Sequence, residues 1–189
     1  MQAIDALLSR RSARTLTEPA PDGAALELIL SSAVRAPDHG RLRPWRFVLV
    51  SGAARARLGE LLAAHLARTH AHSGAEVLER ERQKAYRAPL IVVVAAHLNA
   101  QVKIPAIEQL LSAGAAAHAM MLAAGALGFG AMWKTGGAAY DPETRAGLGL
   151  GSEDVIVGFL YLGTEGQPAA APPPREWRDL VRVLEEGVR

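Results

Sequence analysis

Between Leu110 and Trp133 the chain runs for 24 residues without an Asp, Glu, Lys or Arg, and His118 is the one ionisable side chain in the run. Such a stretch either crosses a membrane or is buried inside a protein. This one is built from Ala and Gly more than from Leu, Ile and Val, with Gly114, Gly125, Gly128 and Gly130 along it. That composition is a poor match to a membrane span. It reads as a central helix over about 104–127, buried on all sides in a protein with no membrane segment. Its small residues would let a second helix come close, as a tight dimer interface requires.

The other elements are arranged around that helix. Residues 3–9 read as a helix. Asp22 caps a second one, with Leu26, Ile29, Leu30 and Val34 on one face, which ends before Pro37. Strands are expected at 45–50, 89–96, 129–133 and 155–162; PLIVVVAA and VIVGFLYL are apolar enough for burial on both faces. Helices are expected at 53–68 and 75–86, and Asp141-Pro142-Glu143 begins a short one. A Pro/Ala linker over 168–174 leads to an expected last helix at 175–186. The alternation of helices and strands is irregular and no repeat occurs. The expectation is therefore one α+β domain over 1–189, a mixed central sheet wrapped by helices, with a variable tail at 166–189.

Several chemistries drop out. The chain has no Cys, which excludes disulfides, thiolate catalysis and Cys-based metal or iron–sulfur sites, so redox work would need a bound cofactor. The N-terminus lacks a signal-peptide pattern, and cytoplasmic is the default. GFGAMWKTGG at 128–137 approaches a phosphate-binding loop, but Trp133 stands where that loop needs Gly, and the segment follows a helix. GLGLGS at 147–152 lacks the third Gly of a dinucleotide fingerprint and precedes a strand. His70-Ala71-His72 has no carboxylate to complete a ligand set, so no metal is expected. No G-x-S-x-G nucleophile elbow is present. Net charge is only +2, and aromatics do not interleave with the arginines, so nucleic acid is not an expected partner.

The cations nevertheless cluster. Arg10, Arg11 and Arg14 surround Ser12 in LLSRRSAR; Arg35, His39, Arg41, Arg43 and Arg46 lie within twelve residues; Lys134-Thr135 is followed by Gly136-Gly137, a backbone able to form an anion nest. Three loops with cations, hydroxyls or free N–H groups beside an apolar frame suit a ligand with an anionic tail and a broad planar body.

These segments, RRSAR, RAPDHGRLRPWRFVLV at 35–50, RAPLIVVVAAH at 87–97, GFGAMWKTG at 128–136 and IVGFLYLGT at 156–164, have the order and spacing of the nitroreductase family, in particular its small YdjA-like branch. The resemblance covers about residues 1–165. It implies an FMN enzyme that uses NADH or NADPH as co-substrate, folded as an intertwined homodimer with flavin at the subunit interface. Arg10, Arg11 and Ser12 would hold the phosphate and ribityl end. Arg35 and His39 would reach the flavin from the partner subunit, and Trp133, Lys134 and Thr135 from the first. Lys134, and less directly Arg14, are candidates for a cation at the pyrimidine edge; Gly125 and Gly128 are further cofactor candidates. No side-chain acid or base is implied, because the flavin carries the chemistry. The implied reaction is ping-pong reduction of a small electron-poor acceptor such as a nitroaromatic or quinone. Two alternatives stand beside it: dehydrogenase or flavin-consuming chemistry on the same fold, and a non-enzymatic Arg-rich domain that binds polyanions. The chain departs from the family at Arg43, where Gln is usual, and in its Pro-rich tail.

Overall fold

The computed structural model describes residues 2–166, 172–173 and 176–184. Its frame is β3 (Leu90–His97), whose Leu90–Ala96 stretch is entirely buried. Val and Ile fill it because a strand in mid-sheet is covered on both faces and needs no polar side. β2 (Trp45–Ser51) pairs along one edge of β3 and β5 (Asp154–Glu165) along the other; β4 (Gly130–Lys134) pairs with the far side of β5. A two-residue strand, β1 (Leu16–Thr17), joins the last residues of β5.

Side chains alternate across this sheet. Ile91, Val93, Ala95, Phe159 and Tyr161 face a layer containing Leu58 and Leu62 of α3 (Ala54–Thr69). Leu90, Val92, Val94, Leu160 and Leu162 face a layer made by α2 (Gly23–Ala33) and α5 (Ala106–Ala126). Three shorter helices complete the described residues: α1 (Ala3–Ser9), α4 (Ala75–Gln83) and α6 (Pro142–Gly147). Asp141 caps α6 by accepting from the Thr144 N–H at 2.8 Å, and Pro142 occupies the first helical position, where its missing N–H costs nothing.

The α+β class is as expected, with corrections. All four ladders are antiparallel among the described residues, so the sheet is not mixed within the chain. The parallel relation suggested by a strand–helix–strand order exists only between β3 and β4, and β5 lies between them. Two helices, α3 and α4, separate β2 from β3; an even number of reversals returns the chain to the end it left, and antiparallel pairing follows. The central helix is not buried on all sides. Ala113, Ala116, Ala117, Met120 and Ala124 are buried, and the Gln109 amide is bonded to the loop at Asn99 and Ile104, whereas Ile107 and Leu111 are 59% and 64% exposed and His118, Gly125 and Ala126 are also exposed. Among the described residues no second layer lies over that stripe. The last correction concerns the tail. Of the span 175–186, residues 176–184 are described and contain only a 3-10 turn, Arg178–Leu180, in place of the expected helix; residues 175, 185 and 186 and most of the 168–174 linker lie outside the described residues.

Candidate functional site

β4 organises the arginine and lysine clusters. α1 ends at Ser9, Arg10 leaves it in an extended conformation, and the Ala13 N–H donates to the Ala131 carbonyl at 2.9 Å, which ties the arginine loop to β4. At this end of the strand lies a cavity of about 360 Å³, lined by Arg10, Arg11, Gly125, Gly128, Phe129 and Gly130 among others. The two arginines differ. The Arg11 fork closes on the Glu165 carboxylate, with Nη2 to Oε2 at 2.6 Å and Nη1 on Oε1, and this hydrogen bonding raises its pKa further. Arg10 and Arg14 have no carboxylate partner among the described residues. Arg10 is half-buried, and Ser12 and Arg14 are exposed.

At the other end of β4 the strand alternation separates two residues that the sequence reading grouped. Trp133 packs with Ala131 on the α5 side, while Met132 belongs to the α3 side. The Trp133 indole lies against Gly158, where any Cβ would collide with its Nε1, and close to Gly114 of α5. Lys134 lines a second cavity, of about 250 Å³, on the α3 side. Thr135 and Gly136 form part of its wall, and Gly136 has φ +136°, open to glycine and strained for other residues. The side chains of Trp133 and Lys134 thus fall on opposite faces of the sheet. A flat ligand meets both only by lying along the outer edge of β4, which no strand covers among the described residues. The two cavities are about four strand residues apart, roughly 13 Å.

The second cavity also brings in residues that the sequence reading passed over. Lys84 and Arg87 come from the turn after α4, and His65 from α3. Glu81 pairs with Lys84, Oε1 to Nζ at 2.6 Å, whereas Arg87 and Lys134 have no acidic partner among the described residues. Buried Tyr161 lies at the base, and burial raises its hydroxyl pKa. The one signal in the sequence was the scarcity of lysine: Lys84 is one of three, all others among the 21 cations being Arg. His65 Nδ1 is buried without a hydrogen-bond partner, 3.6 Å from Asp141 Oδ1.

Arg35 and His39 are not brought to either cavity. Arg35 is exposed just beyond α2. His39 Nδ1 contacts Glu108 Oε2 at 2.6 Å, in the first turn of α5. Gly125, beside Arg10, is seventeen residues further along the same helix, about 25 Å away. Within one chain, Arg10 and His39 cannot touch the same small ligand. Among the described residues no group of three or more His, Asp or Glu is placed to hold a metal, and no helix is long and apolar enough to cross a membrane.

Comparison with known proteins gives the lineage. The family model described as "Nitroreductase family" matches residues 7–164. An Escherichia coli (strain K12) protein named "Putative NAD(P)H nitroreductase YdjA" is 42% identical over 164 residues, covering 87% of this chain and 88% of that protein. A nitroreductase-like family protein from Bacillus cereus has a crystal structure that superposes with a TM-score of 0.83 at 25% identity, covering 98% of this chain and 97% of that one. A Desulfovibrio desulfuricans protein, described as "a putative nitroreductase in complex with fmn", superposes with a TM-score of 0.72 at 26% identity, covering 98% and 97%. The chain belongs to the nitroreductase family.

Proposed function

We propose that the protein is an FMN-dependent NAD(P)H oxidoreductase that reduces small electron-poor acceptors. Bound FMN supplies two-electron transfer between NADH or NADPH and an acceptor such as a nitroaromatic or quinone. The observation that carries this reading is the layout of β4: an arginine-bearing cavity at one end, a lysine-bearing cavity about 13 Å away at the other, and between them a strand edge that no other strand pairs with among the described residues. An elongated ligand with a phosphate at one end and a broad ring at the other matches it. The relatives support the choice, one by its name as an NAD(P)H nitroreductase and the other by its complex with FMN.

The residues divide the work. Arg10 and Ser12 hold the phosphate end; two charge-assisted hydrogen bonds from a guanidinium suit a dianion. Arg11 braces that loop through Glu165, and Arg14 adds positive charge at its exposed side. Trp133 supplies an apolar wall for the ring, while the Lys134–Thr135 segment supplies backbone donors along the strand edge. Lys134, with Lys84 and Arg87, makes the ring's end electropositive, which favours negative charge arising there. Gly125 and Gly128 keep the Arg10 cavity open. Arg35 and His39 serve the flavin of a second subunit, His39 lying at the end of α5 about 25 Å from the end that borders Arg10, so the working unit is a homodimer.

Purification and cofactor extraction test this reading. The protein is expected to be yellow, to release FMN on denaturation, and to oxidise NADH or NADPH with a nitroaromatic or quinone acceptor. A colourless protein that takes up no FMN on reconstitution would contradict it.

A further inference from the structure

The loop from Arg35 to Arg46 has an arrangement that FMN binding alone leaves unexplained. Arg35, Arg41, Arg43 and Arg46 are all exposed. The one acid in the segment, Asp38, is engaged elsewhere: Oδ1 accepts from the Leu42 N–H at 3.1 Å and Oδ2 from the Arg43 N–H at 2.8 Å. Glu108 is engaged by His39. Arg46 is turned inward on its own loop, donating to the Trp45 carbonyl at 2.9 Å and the Arg43 carbonyl at 3.3 Å. Arg41 and Arg43 are left without an acidic partner among the described residues.

The backbone at the same two residues is strained. Arg41 has φ +54° and Arg43 φ +50°, the left-handed region that side chains disfavour, and Arg43 also precedes a proline, which favours extended backbone at that position. Gly or Asn would relieve the strain. The loop is held in place all the same. Asp38 pins its middle, Pro44 is fully buried, the Pro44 carbonyl accepts from the His97 N–H at 2.7 Å, and Gly40 packs against the end of the Ile104 side chain. Two unpaired guanidinium groups, two residues apart, are therefore presented from a rigid, strained support. Strain held in place by surrounding contacts is a mark of functional loops.

We infer that Arg41 and Arg43 form an anion clamp that selects substrates carrying a carboxylate or phosphate group. The planar guanidinium fork matches either anion with paired hydrogen bonds. The inference rests on the proposed function, in which this loop borders the flavin of the second subunit. The anion has two possible sources, an acidic acceptor or the 2′-phosphate of NADPH.

The test uses the FMN-loaded enzyme and kcat/KM ratios. One arm compares 4-nitrobenzoate with 4-nitrobenzamide, and the other compares NADPH with NADH. In Arg43→Gln, and more strongly in Arg41→Gln with Arg43→Gln, one of these ratios is expected to fall about tenfold, the scale of one hydrogen bond to a charged group. A fall in the first ratio identifies the acceptor as the source of the anion, and a fall in the second identifies the dinucleotide. Arg43→Gly separates charge from folding: it is expected to lose the same selectivity while its thermal midpoint rises through relief of strain. Both ratios unchanged within twofold in the double variant would overturn the clamp. If the protein takes up no FMN, the proposed function fails, and calorimetric titration with pyrophosphate decides the clamp alone. Weaker binding by the double variant would support it, and equal binding would overturn it.

Discussion

Arg10 and Arg11 are neighbours with different tasks. Arg11 shares both its terminal nitrogens with a carboxylate that is 11% exposed, while Arg10 has no acidic partner among the described residues and faces a cavity. Arg10→Ala is expected to weaken FMN binding by about 1.5–3 kcal/mol with little change in apoprotein stability. Arg11→Ala is expected to do the reverse, lowering apoprotein stability by about 1–3 kcal/mol because Glu165 is left unpaired. Flavin titration beside denaturant unfolding of each variant checks the contrast. The sequence made the Arg-Arg-Ser cluster conspicuous, but it could not say which arginine was free. That depends on Glu165, 154 residues away and brought there by β5. Asp141 gives a prediction of another kind. Burial works against its charged form, yet the Thr144 hydroxyl and N–H and the Arg68 guanidinium outweigh it and hold the carboxyl down at about 2, below its ordinary 3.8. A group depressed on folding stabilises fully above its unfolded value and loses that contribution as pH falls through the folded one. Asp141→Asn should therefore cost about 1–2 kcal/mol at pH 7, and its unfolding free energy should converge on the parent's between pH 4 and 2.

At the scale of elements, the apolar runs marked the strands well because burial on both faces leaves no polar position to confuse the pattern. β1 was missed: two residues carry no period, and its existence depends on the end of β5. The antiparallel pairing was hidden for the same reason, since β5 comes last in sequence yet lies between β3 and β4. The terminal segment shows the opposite failure. Its spacing suggested a helix, but Leu180, Val183 and Leu184 are 78–98% exposed in the described residues, and a short helix without a packing partner is not stable. The sequence reading grouped Trp133 with Lys134, and adjacent strand residues point to opposite faces, so their side chains part across the sheet. Gly158 is what admits the indole. Gly158→Ala is expected to destabilise the protein by about 1–3 kcal/mol and to shift the fluorescence of Trp133. An unchanged spectrum and unfolding midpoint would count against the packing described.

For the whole molecule, the exposed apolar surface points to a partner. Ile107 and Leu111 on α5, Ile4, Leu7 and Leu8 on α1, and Trp177 and Leu180 near the end of the chain are exposed by 47–83%. A soluble monomer rarely carries so much. Leu111→Glu on the open stripe of α5 is expected to shift the sedimentation mass from dimer to monomer and to reduce flavin occupancy with it. A monomeric variant that retains all its flavin would separate the two properties. The 25 Å between His39 and the Arg10 end of α5 makes the stronger demand, because both belong to one flavin site only if they come from different chains. The sequence order alone could not expose that separation; it needed the His39–Glu108 contact at one end of the long helix and the Arg10 cavity at the other. Mixed dimers measure it directly. One subunit carries Arg10→Ala and the other carries Arg35→Ala with His39→Ala, and FMN is counted per purified heterodimer after dialysis. With sites built from both chains, both lesions fall in one site and the other remains intact, so the heterodimer is expected to keep about half the parent's flavin. Flavin lost equally from both sites, with neither intact, would contradict the shared site.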